Sequence, residues 1–328
     1  MWSRIVLLKR IKFILFVGAI FFLACPSVSS SQTLVIDKFS PATDSILHAI
    51  IDLSHKKHFE KLPIGDRIAA IGKLFLGTPY IDKSLEVGND KDEVVCNLEG
   101  FDCVTFFESI WALARLAKKH SSDTSNLMFI YGEELRMTRY RDVPCCDYET
   151  GIKGSPGGFP TRLHYTSDYF YRNSNLRYAN GELALLKEMT KEIGGSDAKL
   201  EKKKINFMTT HPSLYKQLAN DPAMVAKMDS IEKMIGARGG FYYIPKEDVE
   251  DNEKGIHTGD LIGITTSIPG IDCSHTGIAI KEKDGRIHFM HASSAMHKVI
   301  ISPMPLADYL KGNAKQTGIM VYRPVEAK

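Results

Sequence analysis

Residues 101–120 read FDCVTFFESIWALARLAKKH. From Cys103 to Ala114 almost every side chain is apolar, so the spacing predicts a helix buried on most of its sides. Asp102 is a residue type that caps a helix by accepting the orphaned N–H groups of its first turn. Lys118, Lys119 and His120 place positive charge at the negative end of the helix dipole. The stretch therefore sets a cysteine in the first turn of a buried helix. Unsatisfied N–H groups and the positive dipole end favour thiolate over thiol there, which predicts a lowered Cys103 pKa. The Cys103 N–H also points to where an oxyanion would develop. A small buried hydrophobe is the other reading of the same position.

Upstream, Ser40 to about His58 carries apolar residues at helical spacing. Ile64 to Leu76 repeats the pattern and is stopped by the turn Gly77-Thr78-Pro79-Tyr80. Downstream the period changes to two. Asp260–Ile264, His275–Ile280, Ile287–His291, Val299–Ser302 and Gly318–Tyr322 read as five short strands, and Asp284-Gly285 marks a hairpin turn between the second and third. Helices first and an antiparallel meander last predict an α+β fold.

The middle, about residues 121–254, is less regular. It holds a Gly/Pro-rich stretch from Gly151 to Pro160, an aromatic run from Leu163 to Tyr171, and a charged patch from Glu182 to Lys204 that reads as helical. No linker brackets it, so residues 32–328 read as one domain with an insertion. Arg162, His164 and Tyr165 could form a wall for a sugar or peptide, or simply a packed loop. His211 before Pro212 reads as a turn residue.

The first 31 residues differ from the rest. Arg4, Lys9, Arg10 and Lys12 precede the twelve apolar residues Phe13–Ala24, and small and polar residues follow from Cys25 to Ser31. That order is a secretory signal, and twelve residues fall short of the roughly 20 a membrane-crossing helix needs. Leu23-Ala24-Cys25 also resembles a bacterial lipoprotein box, so the membrane enters only through a lipid anchor at Cys25. Either form is exported, soluble or lipid-anchored, to the periplasm or cell envelope. Without this segment, 38 basic side chains face 39 acidic ones. A body so balanced lacks the basic face that a nucleic-acid backbone would require. Cys96, Cys103, Cys145, Cys146 and Cys273 remain, an odd number whose pairing the sequence leaves open.

A cysteine nucleophile needs an imidazole within reach, and that imidazole needs an orienting group. His275 begins one strand and His291 ends its hairpin partner, so antiparallel topology brings both to one edge of the sheet. His288, three residues before His291, falls on the opposite face. A zinc site built from Cys273, His275, His288 and His291 is the rival reading, and strand alternation, which splits the last two histidines, opposes it. No metal or other cofactor is expected.

Gly77-Thr78-Pro79-Tyr80, Asp102-Cys103, Ser274-His275-Thr276-Gly277-Ile278, Met290-His291-Ala292-Ser293 and Val299-Ile300-Ile301-Ser302 together resemble the NlpC-type cell-wall cysteine hydrolases. Phe101-Asp102-Cys103-Val104-Thr105-Phe106, Thr161-Arg162-Leu163-His164-Tyr165 and Asn206-Phe207-Met208-Thr209-Thr210-His211-Pro212 resemble the AmiA-like N-acetylmuramoyl-L-alanine amidase branch of that superfamily. The resemblance implies a papain-like fold. It implies hydrolysis of the amide between N-acetylmuramic acid and L-alanine in peptidoglycan fragments, with a preference for 1,6-anhydro muropeptides. It makes Cys103 the nucleophile, His275 the general base and His291 its orienting residue. Tyr80 and Asp102 would lie at the oxyanion or substrate, with Arg162, His164 and Tyr165 as further substrate contacts. The alternatives are a peptide-stem endopeptidase of the same superfamily and a non-catalytic glycopeptide-binding envelope protein.

Overall fold

A computed structural model of the protein describes residues 38–86, 94–119, 126–141, 158–176 and 185–326. The leader with Cys25, the Cys145-Cys146 pair and residues 151–157 of the glycine-rich stretch lie outside the described residues. Ten helices are described: α1 (Pro41–Lys56), α2 (Ile64–Leu74), α3 (Cys103–Lys119), α4 (Leu127–Arg139), α5 (Thr166–Asn175), α6 (Thr190–Gly194), α7 (Phe207–Thr210), α8 (Pro222–Ala237), α9 (Val249–Asn252) and α10 (Leu306–Lys311). The strands are β1 (Leu186–Glu188), β2 (Lys199–Glu201), β3 (Phe241–Pro245), β4 (Leu261–Thr266), β5 (Cys273–Lys281), β6 (Ile287–Ser293), β7 (Lys298–Pro305) and β8 (Gln316–Pro324). They form one antiparallel sheet in the order β2-β3-β8-β4-β5-β6-β7, with β1 also paired to β8. The architecture is α+β. None of the described helices is long and apolar enough to cross a membrane.

α3 is the centre of the larger core. Every residue from Thr105 to Ala117 is buried, Trp111 completely. Two charged residues inside this stretch survive burial because each has a partner, as low-dielectric surroundings require. Glu108 accepts from Arg139 Nε at 2.8 Å, and Arg115 Nε donates to Glu134 at 2.7 Å. The sheet face toward α3 presents Leu261, Ile278, Ile280, Met290, Ala292 and Met320. The opposite face presents Ile262, Ile264, Ala279, Phe289, Ile319 and Val321 to α10 and its neighbours. β4, β5, β6 and β8 thus send alternate residues to two separate cores, as the strand period of two demands.

Three sequence expectations are corrected. The sheet has eight strands among the described residues rather than five, because the middle region supplies β1, β2 and β3. The charged patch from Glu182 to Lys204 is not one helix: β1 and β2 flank the single turn of α6, and Gly195 at φ +49° ends that turn. β1 is instead recruited by β8, with Glu188 opposite Tyr322, and tertiary pairing overrides local helix propensity. The aromatic run is also not a loop, since residues from Thr166 belong to α5 with Tyr169 and Phe170 buried against Phe107. His211 does sit in a turn, between α7 and a short 3-10 turn, with its ring stacked on Phe207.

Candidate active site

The first turn of α3 is fixed before any chemistry is considered. Asp102 Oδ1 accepts from the backbone N–H groups of Val104 (3.0 Å) and Thr105 (2.8 Å), which are orphan donors of the helix. Thr105 Oγ1 accepts in return from the Asp102 N–H at 3.0 Å, and Ser84 Oγ donates to Asp102 Oδ2 at 2.9 Å. Both Asp102 oxygens are therefore spent on structure, and their result is a rigid platform that carries Cys103 as the first helical residue. Tyr80 is set beside that platform by a parallel bridge to Phe101 and by a hydrogen bond from its N–H to His297 O (3.0 Å).

The sheet opens to meet this helix end. The β5–β6 ladder runs from Lys281↔Ile287 to Ile278↔Met290 and stops there, although β5 extends back to Cys273 and β6 on to Ser293. Gly277 marks the last close approach: a Cβ there would lie 2.6 Å from Met290 O. Beyond it the strands part beside His275 and His291. Thr276 Oγ1 donates to Cys103 O at 2.9 Å, which docks the start of α3 at the parting.

Across the same opening, His275 Nε2 and His291 Nδ1 share a hydrogen bond of 2.6 Å, with the ring planes nearly perpendicular. Phe289 stacks on His291 with centroids 4.7 Å apart and meets His275 edge-on. Tyr309 of α10 completes the enclosure, 5.4 Å from the His291 ring. Because His275 Nε2 is occupied by His291, Nδ1 is the nitrogen left for a reacting proton. With that nitrogen as acceptor, Nε2–H donates to His291 Nδ1 and the His291 proton sits on Nε2, a buried atom with no hydrogen-bond partner.

Burial sets the protonation states. It pushes the Cys103 thiol up to about 11, assisted by the Asp102 carboxylate, while Thr276 and the helix's own N–H oppose the rise. His275 is pushed down to about 4 by burial. His291 falls to about 3 through burial and then the neighbouring His275. This corrects the expectation of a lowered thiol pKa: desolvation outweighs the helix end, so the resting site holds a neutral thiol and neutral imidazoles. Among the described residues no hydrogen bond joins the sulfur to either ring. Tyr80, pushed up to about 12 by burial and by Cys103, remains a phenol that can donate. A neutral thiol, a neutral base oriented by a second imidazole, and nearby N–H and O–H donors can perform acyl transfer.

The remaining sequence candidates are engaged elsewhere. Tyr165 is 5% exposed and its hydroxyl donates to Glu232 Oε1 at 2.6 Å while accepting from Met208 N–H, so it belongs to a core cluster rather than a wall. His164 Nε2 meets Phe159 O at 2.7 Å, and the Arg162 guanidinium lies over the Phe159 ring. His288 has both nitrogens committed, to Ser302 O and Asp284 Oδ2. Cys273 packs beside Gly263, where a Cβ would meet its sulfur at 3.0 Å. Thr276 and Tyr309 were not singled out by sequence. Alternation turns Thr276 to the face of β5 opposite His275, and only the packed structure shows that its hydroxyl there reaches the Cys103 carbonyl. Nothing local marks Tyr309, which a separate helix brings in.

A family model described as AmiA-like, N-acetylmuramoyl-L-alanine amidase-like, matches residues 70–319. Among solved structures, an N-acetylmuramoyl-L-alanine amidase from Bacteroides uniformis ATCC 8492 is 33% identical with a TM-score of 0.65, over 80% of this chain and 99% of that one. A protein from Bacteroides fragilis, provisionally assigned as a xylanase, is 34% identical with a TM-score of 0.62, over 77% and 98% of the respective chains. A protein from Legionella pneumophila shares the fold at 22% identity and a TM-score of 0.59, over 87% and 96%. No curated protein matches the chain.

Proposed function

The chain belongs to the AmiA-like, N-acetylmuramoyl-L-alanine amidase-like family, and from that premise we propose that it is an exported cysteine amidase of peptidoglycan fragments. In this reading the papain-like, NlpC-type arrangement is realised by α3 and the β5–β6 hairpin. Cys103 Sγ attacks the lactyl carbonyl that links N-acetylmuramic acid to L-alanine. His275 Nδ1 takes the thiol proton as the C–S bond forms and passes it to the departing alanine nitrogen, which leaves as an amine. Water, deprotonated by the same nitrogen, then cleaves the thioester and restores the thiol. The Cys103 N–H and the Tyr80 hydroxyl are the donors assigned to the oxyanion. The preferred substrate is the 1,6-anhydro form, and the protein acts in the periplasm or envelope, soluble or anchored through Cys25.

The observation that carries the reading is the docking at the parted ladder: Thr276 bonds the carbonyl of Cys103 while the adjacent residue, His275, holds His291 at 2.6 Å. A glycosidase would need two carboxyl groups facing one bond. The carboxylate adjoining this thiol, Asp102, has both oxygens committed to the helix cap and Ser84. The test is digestion of defined anhydro- and reducing-end muropeptides by wild type and Cys103→Ser, followed by HPLC and mass spectrometry. Intact free peptide stems, produced only by the wild type, support the amidase. Shortened stems still attached to sugar indicate an endopeptidase. An unchanged cellular effect of Cys103→Ala would favour a binding protein.

A further inference from the structure

A cavity of about 1070 Å³ lies beside α5, β1, β3 and the end of β8, and its lining contains none of Tyr80, Cys103, His275, His291 or Tyr309. Tyr322, in its wall, packs into the α3-side core, whereas His275 pairs with Ile264 and meets Phe289 in the α10-side core.

Its lining is strongly cationic. Lys187, Lys191, Lys202, Lys203, Lys204 and Arg238 face it, with Glu188 the sole carboxylate among the described lining residues; Lys187 is paired with Glu192 at 2.7 Å and Lys191 lies 3.9 Å from Glu188. In a chain whose body is otherwise near charge balance, that is a local concentration of one sign. A concave, partly apolar wall focuses such a field. Lys202 and Lys204 are exposed and make no ion pair among the described residues, whereas Lys203 lies between them with its ammonium on Thr266 O.

The kind of cation narrows the ligand. Bidentate anion recognition relies on a guanidinium fork, whereas lysine meets an anion as a point charge. Here the guanidinium, Arg238, is bonded to Asp168 Oδ1 at 2.8 Å and lies over the Tyr171 ring at 3.9 Å. What remains is a row of lysine point charges at successive positions, suited to carboxylates spaced along a chain. That row directly continues β2, which occupies the end of the strand order and has its outer side unpaired in the described sheet. Tyr242, in the lining and 38% exposed, adds apolar surface, and its cross-strand partner Leu200 on β2 lies next to it outside the lining. An edge strand, flanking lysines and apolar surface together suit an extended peptide.

We propose that this cleft binds a short extended peptide carrying several carboxylates, at a site separate from the thiol and the two imidazoles. The test uses the full chain and fluorescein-labelled hexaglutamate, followed by anisotropy, with hexaglutamine carrying the same label as the uncharged control. Saturable binding of hexaglutamate alone is expected, weakening as NaCl is raised. Lys202→Glu with Lys204→Glu should weaken it about tenfold, a loss of about 1.4 kcal/mol. The milder Lys202→Gln with Lys204→Gln should fall between these and wild type. Lys216→Glu with Lys227→Glu changes net charge equally outside the lining and should leave affinity within about twofold. Absence of saturable binding would overturn the proposal, as would equal losses in both double variants or displacement by tripolyphosphate at far lower concentration than by unlabelled hexaglutamate.

Discussion

The protonation of the resting site yields a prediction that separates this protein from thiolate–imidazolium enzymes. With the thiol pushed up to about 11 and His275 pushed down to about 4, each by burial, the neutral pair is favoured over the ion pair at rest. At pH 7 the thiolate fraction of Cys103 is about 10⁻⁴, against about 3% for an unperturbed cysteine of pKa 8.5. Alkylation by iodoacetamide should then be about 300-fold slower than for free cysteine from thiolate fraction alone. The higher nucleophilicity of a more basic thiolate returns roughly a factor of ten, leaving a deficit of roughly 30-fold. Rates measured from pH 5 to 10, with peptide mapping to isolate the Cys103 adduct, should climb tenfold per pH unit throughout. His275→Gln should keep that slope, since no imidazolium supports the thiolate at rest. A rate that is already level between pH 5 and 8 would refute the reasoning.

Asp102→Ala removes an acceptor serving Val104, Thr105 and Ser84 and should cost about 2 kcal/mol in urea denaturation. Asp102→Asn keeps an acceptor but loses the charge that raises the thiol, so it should cost less and speed Cys103 alkylation at pH 7. Both buried histidines have folded pKa values below their unfolded values. Above about pH 6.5 both states are neutral and stability is complete. As pH falls toward about 4 the unfolded chain gains protons that the folded one refuses, with a loss of up to about 1.4 kcal/mol per unit for each histidine. Urea midpoints between pH 7 and 5 should fall accordingly, and less steeply in His291→Phe. Gly277→Ala brings a Cβ to 2.6 Å from Met290 O. It should displace the hairpin and lower activity more than tenfold even where the variant still folds by circular dichroism.

The parts of the fold that announce themselves do so through period. The apolar run after Asp102 becomes a helix with every residue from Thr105 to Ala117 buried. The alternation around Asp284-Gly285 becomes β5 and β6, with Gly285 at φ +82° in the turn. Hairpin topology alone sufficed to bring His275 to His291. The strand-forming role of residues 186–188 was not legible, because three residues carry no periodicity and their partner, β8, lies more than a hundred positions away. The thiol's protonation is hidden from the sequence for a related reason. A helix terminus is visible in sequence, but desolvation depends on what the rest of the chain packs over it. Tyr165 likewise looked available until Glu232 and Met208, both distant in sequence, claimed its hydroxyl.

The central claim is that Cys103 holds the muramoyl half of the substrate during turnover. Acid-quenched reactions with excess anhydro-muropeptide, analysed by intact-protein and peptide mass spectrometry, measure this directly. A thioester is expected on the peptide containing Cys103, with the mass of the anhydro-muramoyl acyl group and no amino acid attached. An adduct carrying a stem-peptide acyl group, an adduct on Cys273, or turnover undiminished in Cys103→Ser would contradict it.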